Sequence, residues 1–263
     1  MEVSRSSYYK RRGKAKSKRE KENEKILKMV KEIFQESRES YGSPRITEEL
    51  RRRGIMCNKK RIASLMRKEG IAAKIYRKQK RTTLSDHQRE IAENILGGEF
   101  LREGPNQVWT SDITYIRTEE GWLYLAVVMD IYSRKIIGWE VDKRLGSDLV
   151  ERAMKKALLE REVQKGIVFH SDQGIQYTSH SFRKLLRDGG FIQSMSRRGN
   201  CYDNAVTERF FHTLKTELVK RRRYNSREEA RRSIFEYIEI FYNRKRIHSA
   251  IGYLSPVEFE KLT

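Results

Sequence analysis

The chain has 263 residues, of which 57 are lysine or arginine and 36 are aspartate or glutamate, giving a formal net charge of +21. That balance points to a polyanionic partner, nucleic acid above all, and residues 1–105 hold 29 of the basic groups against only 15 acidic ones. Two distant cysteines, Cys57 and Cys201, argue against a disulfide framework or a cysteine-ligated zinc site; the short apolar runs and the lack of a signal-peptide pattern argue for a protein of the reducing cytosol, working at the nucleoid.

Residues 1–21 are rich in lysine, arginine and serine. From about 22 to 38, Ile26, Leu27, Met29, Val30, Ile33 and Phe34 recur with the spacing of one helix face. In YGSPRITEELRRRG, Ser43 suits a helix cap, Pro44 the first helical position and Gly54 the stop. Asn58 can cap a further helix through Ile62, Leu65 and Met66 to Gly70. Two short helices joined by a tight turn make a helix-turn-helix, whose second member offers Lys59, Lys60, Arg61, Ser64, Arg67 and Lys68 to DNA. KIYRKQKR (74–81), with Lys78, is too charged to bury and suits a linker that tracks phosphates; a short helix is expected within 86–100.

The pattern changes after Pro105. Residues 107–116, 122–131 and 135–141 are β-branched and aromatic, with a turn at 119–121, and predict three antiparallel strands. A helix is expected over 147–160, a buried strand over 166–170, a helix over 179–188, a strand over 191–195, and helices over 204–221 and 227–244. The order β-β-β-α-β-α-β-α implies an α/β fold, a five-stranded mixed sheet with helices on both faces, preceded by an all-α module. The expected divisions are a basic arm and helix (1–40), the helix-turn-helix (41–73), a basic linker (74–104), the sheet domain (105–225), and a C-terminal helix and tail (226–263).

Three carboxylates stand out. Asp112 lies inside a predicted strand, where aspartate is disfavoured unless something compensates its charge. Asp172 follows a buried strand, a common ligand position in open sheets. Glu208 lies at the edge of the apolar stripe formed by Val206, Phe210, Phe211, Leu214 and Leu218, with His212 and Lys215 beside it. Asp112, Asp172 and Glu208 together would supply convergent oxygen ligands for hard cations such as Mg²⁺. Asp130 is a rival: with the hairpin centred on 119–120 it falls opposite Trp109, roughly 10 Å along the strand from Asp112 and too far to share an ion. Arg197 and Arg198 sit in a polar loop before the glutamate helix and suit a DNA-contacting flap.

WTSDITYI, HSDQGIQYTS and SMSRRGNCYDNAVTERFFHTLKTEL resemble the integrase core of bacterial insertion-sequence transposases, within the retroviral-integrase superfamily; 35 residues separate Asp172 from Glu208, as in that family. YGSPRITEELRRRGIMCNKKRIASLMRKEGI and YNRKRIHSAIGYLSPVEF also match, so the resemblance covers nearly the whole chain and points to the OrfB product of two-frame elements. It implies an RNase H-like core, an Asp112/Asp172/Glu208 (DDE) triad holding two Mg²⁺ ions, with Mn²⁺ substituting, and a basic residue aimed at DNA at Lys215. It also implies strand cleavage at the element ends followed by 3′-hydroxyl strand transfer, giving circularisation and integration. Expected partners are the inverted-repeat ends, target DNA, a second copy of the chain, and OrfA or an OrfA–OrfB fusion. Segment 3–9 resembles the end of a recognition helix from such a fusion. Three rivals remain: a DNA-binding regulator with an inert core, a ribonuclease H-type nuclease, and a tyrosine recombinase using Arg244, Arg246, His248 and Tyr253.

Overall fold

The computed structural model describes residues 17–73, 92–96, 103–196 and 204–262, in two compact units that divide at residue 74. Lys78, Arg197, Arg198 and Cys201 lie outside the described residues. Among the described residues no helix is long and apolar enough to cross a membrane.

In the first unit, α1 (Lys18–Glu36) starts at a capping box in which Ser17 and Glu20 satisfy each other's backbone N–H groups. It is followed by α2 (Ser43–Arg52) and α3 (Lys59–Lys68). Ser43 is not the cap of α2: Gly42 takes that position, and Ser43 is already helical. Asn58 does cap α3, accepting from the Lys60 N–H. Gly54 and Gly70 end α2 and α3 with φ of +79° and +67°, values that disfavour a side chain. The boundary expected at 40/41 is corrected, because α1 contacts both α2 and α3. Ile26, Val30 and Ile33 are as buried as Ile46, Leu50 and Ile62, so the helix expected within 1–40 packs as a third helix against the helix-turn-helix, while the arm before residue 17 lies outside the described residues.

The second unit is built on one sheet of order β3-β2-β1-β4-β5, comprising β1 (Val108–Thr118), β2 (Gly121–Asp130), β3 (Ile136–Asp142), β4 (Val168–Ser171) and β5 (Ile192–Met195). The β1–β2 hairpin turns at 119–120 and places Trp109 opposite Asp130, the register expected from the sequence; β4 and β5 add in parallel. On one face, Leu125, Val127 and Met129 pack against Phe210, Phe211 and Leu214 of α6 (Ala205–Glu217) and against the C-terminal helices. On the other, Trp109, Val128 and Phe169 pack against α4 (Ser147–Glu160) and α5 (His180–Asp188). Helix α4 sits so close to β3 that a Cβ at Gly138 would lie 2.3 Å from the Ala153 carbonyl oxygen.

Two further boundaries differ from expectation. Residues 92–96 are not a free linker and are not helical: the Ile95 N–H donates to Ser194 Oγ at 3.0 Å, and Leu96 is buried with Val108 and Ile131. The rest of the helix expected over 86–100 lies outside the described residues. The C-terminal segment is not separate from the sheet domain, because its apolar side chains complete the core. There the helix expected over 227–244 is α-helical only over α7 (Arg227–Phe235) and widens into a π-helix over Glu236–Tyr242. The wider turn lets Tyr237, Ile238, Phe241 and Tyr242 all be buried. It also brings Asn243 against edge strand β3, where its amide donates to and accepts from the Ile136 backbone at 2.9 and 3.0 Å.

Arg246 is buried and donates to buried Glu217, at the end of α6, over distances of 2.8–3.1 Å, and Tyr237 Oη donates to the same carboxylate at 2.7 Å. Its guanidinium is thus committed within the fold, which removes it from a tyrosine-recombinase constellation. Arg246→Met strands a buried carboxylate and is expected to cost about 3–5 kcal/mol in chemical denaturation, more than the double replacement Glu217→Leu/Arg246→Met. Gly138→Ala is expected to cost about 1–3 kcal/mol by forcing α4 off the sheet, read as a lowered denaturation midpoint with unchanged slope.

Candidate active site

Along β1, side chains alternate between faces. Thr110 and Ile116 meet the α6 side, while Trp109 and Ile113 belong to the α4/α5 side, so Asp112 points toward α6. Strand β4 lies alongside in parallel, with Thr110 beside His170. Beyond that pairing, Asp112 continues β1 and Asp172 follows the end of β4, and the charge of Asp172 acts on the Asp112 carboxyl. Asp172 leaves the strand in a tight turn, its Oδ1 accepting from the Gly174 N–H at 2.9 Å. A side chain at Gly174 would meet that oxygen at 2.9 Å, so the turn requires glycine's small size.

Glu208 is delivered by α6. The preceding residue, Thr207, donates to Thr110 Oγ1 at 2.7 Å in a buried contact, and Asn204 at the helix start reaches the Ser111 carbonyl at 3.5 Å. The helix is thereby pinned to the two residues before Asp112, with Glu208 in its first turn, where the helix dipole favours an anion. Residues not singled out from sequence complete the floor. Buried Tyr177 shares a 2.9 Å hydrogen bond with Ser111, and buried His170 lies between the hydroxyls of Ser194 and Ser196 at 2.9 and 3.1 Å. Asn204 Oδ1 is buried and accepts no hydrogen bond among the described residues. The available signal was polarity inside strands, TS before Asp112 and HS before Asp172; only the fold shows which partner each hydroxyl meets.

Burial pushes the Asp112 carboxyl up to about 8, with the charges of Asp172 and Glu208 adding to the effect; the Ile113 N–H and Lys215 oppose it. Burial also raises Asp172. Burial lowers the Lys215 ammonium, which the Tyr115 ring and Asp112 partly restore. A buried carboxyl crowded by two others is a site short of positive charge, and an all-oxygen donor set suits Mg²⁺ or Mn²⁺. Convergence is nevertheless less complete than expected. Among the described residues no three of Asp, Glu, His or Cys form a ready-made ion cage. Asp112 Oδ1 and Asp172 Oδ1 accept from the backbone N–H groups of Ile113 and Gly174 at 2.7 and 2.9 Å. Asp130 lies outside the cluster, accepting from the Asn106 and Tyr132 N–H groups at 2.8 and 3.0 Å.

Of the residues expected to contact DNA, Lys59, Lys60, Ser64, Arg67 and Lys68 are exposed on α3. Arg61 departs from them: it is half-buried and held by Asn23 at 2.9 Å and Glu22 at 3.1 Å, bracing α3 against α1. His212 is half-buried one turn along α6 from Glu208, and Lys215 lies with its Nζ 4.7 Å from the Tyr115 ring centre.

Comparison with known proteins agrees with this architecture. The sequence matches the integrase core domain family over residues 102–201 and 208–263, and an HTH-like domain family over 21–79. It is 44% identical over 232 residues to the transposase InsF of insertion sequence IS3A from Escherichia coli K12, covering 88% of this chain and 81% of that one. It is 43% identical to the transposase of insertion element IS904 from Lactococcus lactis, covering 93% and 97%, and 40% identical to a 31 kDa protein of element IS600 from Shigella sonnei, covering 98% and 95%. Among solved structures it resembles a chain of the simian T-cell lymphotropic virus intasome, with a TM-score of 0.51 and 17% identity over 67% of this chain and 60% of that one, a likeness of fold. The sheet domain therefore has the RNase H-like integrase fold.

In metal-free protein the folded state holds the Asp112 proton more tightly than the unfolded chain, whose value is 3.8. The stability linked to that proton is complete below about pH 4 and is lost as the pH rises to about 8. Thermal melts in chelator are expected to show a declining midpoint over this window that flattens in Asp112→Asn. Identical slopes in the two proteins would contradict the assigned electrostatics.

Proposed function

The chain belongs to the IS3 family of insertion-sequence transposases, and we propose that it cuts DNA at the ends of its element and joins the freed 3′-hydroxyls to new phosphodiesters. What supports this reading is that Asp172 and Glu208 both act electrostatically on buried Asp112, with α6 held against β1 by the Thr207–Thr110 hydrogen bond. Those carboxylates would hold two Mg²⁺ ions, with Mn²⁺ substituting; when bound, such ions activate the attacking oxygen and stabilise the leaving one. To hold an ion Asp112 would have to release its proton, so ion affinity would rise with pH. Lys215, beside Asp112, is placed to meet a non-bridging phosphate oxygen.

In the first step water attacks phosphorus and the bond to the 3′-oxygen breaks, leaving a 3′-hydroxyl and a 5′-phosphate. In the second that hydroxyl attacks another phosphodiester, forming one P–O bond as one breaks, so no external energy source is needed. Joining the two ends on one strand gives a circle, and a later attack on other DNA gives integration. Two ends must meet, so at least two copies are expected on DNA, with OrfA or an OrfA–OrfB fusion as a further partner. Lys59, Lys60, Ser64, Arg67 and Lys68 would grip the inverted repeats, joined by Lys78, Arg197, Arg198 and His212; Arg61 supports that surface by holding α3 to α1.

Asp112→Ala, Asp172→Ala and Glu208→Ala are each expected to lower cleavage and joining of paired element ends in Mg²⁺ by at least about a thousandfold while leaving DNA affinity within a few fold. Cleavage at the parental rate would refute the enzyme reading in favour of a DNA-binding regulator. Hydrolysis of RNA–DNA hybrids with no joined product would favour a ribonuclease. For the α3 surface, Lys60→Ala and Arg67→Ala are each expected to make log affinity against log salt shallower by about 0.9 for each phosphate that is no longer neutralised. An unchanged slope would remove α3 from the DNA interface.

A further inference from the structure

Beyond Asp112, strand β1 continues for six residues, while its pairing with β4 covers only Val108–Thr110. The hairpin that continues carries aromatic rings alternating with cations. Tyr115 and Trp122 are each 42% exposed and meet edge to face with centroids 5.2 Å apart. The Arg117 guanidinium lies 5.2 Å from the Trp122 ring centre, and Lys215 reaches from α6 to within 4.7 Å of the Tyr115 ring centre. Lys215–Tyr115–Trp122–Arg117 is thus one connected ribbon; alternation along β1 sets Tyr115 and Arg117 on the face opposite Asp112, and the ribbon is joined to the carboxylate side by Lys215, whose charge acts on Asp112. Glu119 and Glu120 at the hairpin turn mark its outer limit.

Two half-exposed rings with a guanidinium over one of them and an ammonium over the other offer flat faces on which a further planar group can stack. Within base-paired DNA, ring faces are already stacked on neighbouring pairs. A platform of tyrosine, tryptophan and a planar guanidinium therefore suits bases that have left the duplex, with the cations answering the phosphates between them. We infer that the Tyr115–Trp122–Arg117 ribbon binds unpaired nucleotides of the DNA strand that passes through the carboxylate site. Resting on the proposed function, this makes a single-stranded segment next to the cut part of what the site recognises. Two features favour such a strand over a protein partner: continuity with the carboxylate cluster through Lys215, and the match between a ribbon bearing two cations and a polyanion.

Trp122 supplies the probe. Of the three tryptophans, Trp109 and Trp139 are buried, so quenching of the exposed indole reports on Trp122. In chelator, where no cleavage occurs, oligothymidylate is expected to quench the tryptophan fluorescence of the full chain. Its affinity is expected to fall at least about tenfold in Trp122→Ala and in Tyr115→Ala, and less in Trp122→Phe. Blunt-duplex affinity of these variants, and oligothymidylate affinity of the exposed-site control Leu159→Ala, are expected to stay within about twofold of the parent. If Trp122→Ala does not fold, quenching of the parent and a several-fold loss in Arg117→Gln decide the matter. No quenching, or equal affinity in folded variants, overturns the inference. So does loss of self-association in Trp122→Ala with oligothymidylate binding intact, which would make the ribbon an interface between copies. Because these readings need no divalent ion, they can fail while the triad variants still abolish cleavage, and can succeed if those variants do not.

Discussion

Asp172 and Glu208 bring like charge to bear on the buried carboxyl of Asp112, and the elements that carry them are held in place by packing elsewhere. The cost is visible in Asp112, whose carboxyl is pushed up to about 8 by burial and by its neighbours. Nothing in that cluster is self-stabilising without a cation. Its position must be imposed by structure that is stable for other reasons: the parallel register of β1 and β4, the Thr207–Thr110 hydrogen bond, and the aromatic packing of α6 on the sheet.

That packing has its own anchor at the other end of α6. Glu217, about two and a half turns from Glu208, is closed by Arg246 and Tyr237 from the C-terminal segment. The π-helix that presents Tyr237 and Tyr242 also fixes β3 through Asn243. One end of α6 therefore serves the candidate chemistry and the other serves the fold. Residues 227–262, which look like an appendage in sequence, act as the buttress of the helix that brings Glu208.

The two compact units divide the labour that the charge distribution implies. The three-helix unit exposes a cationic face on α3 and uses Arg61, the most inward of those cations, to brace it. Among the cations of the sheet unit, Lys215 acts on Asp112 and Arg117 lies over Trp122 on the β1–β2 hairpin.

Element order, the β1–β2 register and the cost of burying Asp112 were legible in the sequence because each follows from local rules: alternation in strands, periodicity in helices, and the penalty on an aspartate inside a strand. Arg61, Arg246 and Leu96 were not legible in this way. A cation on a helix face and a leucine in a charged linker look the same in one dimension whether they meet solvent or a partner many residues away. The π-turn was hidden too, since an apolar run reads as ordinary helix until the sheet demands that four neighbouring side chains be buried together. Sequence by itself determined which groups carry charge and which elements carry them, because these depend on near neighbours. Tertiary structure alone decided which charges hold the fold together and which are left for DNA, because desolvation and pairing depend on what long-range packing brings alongside.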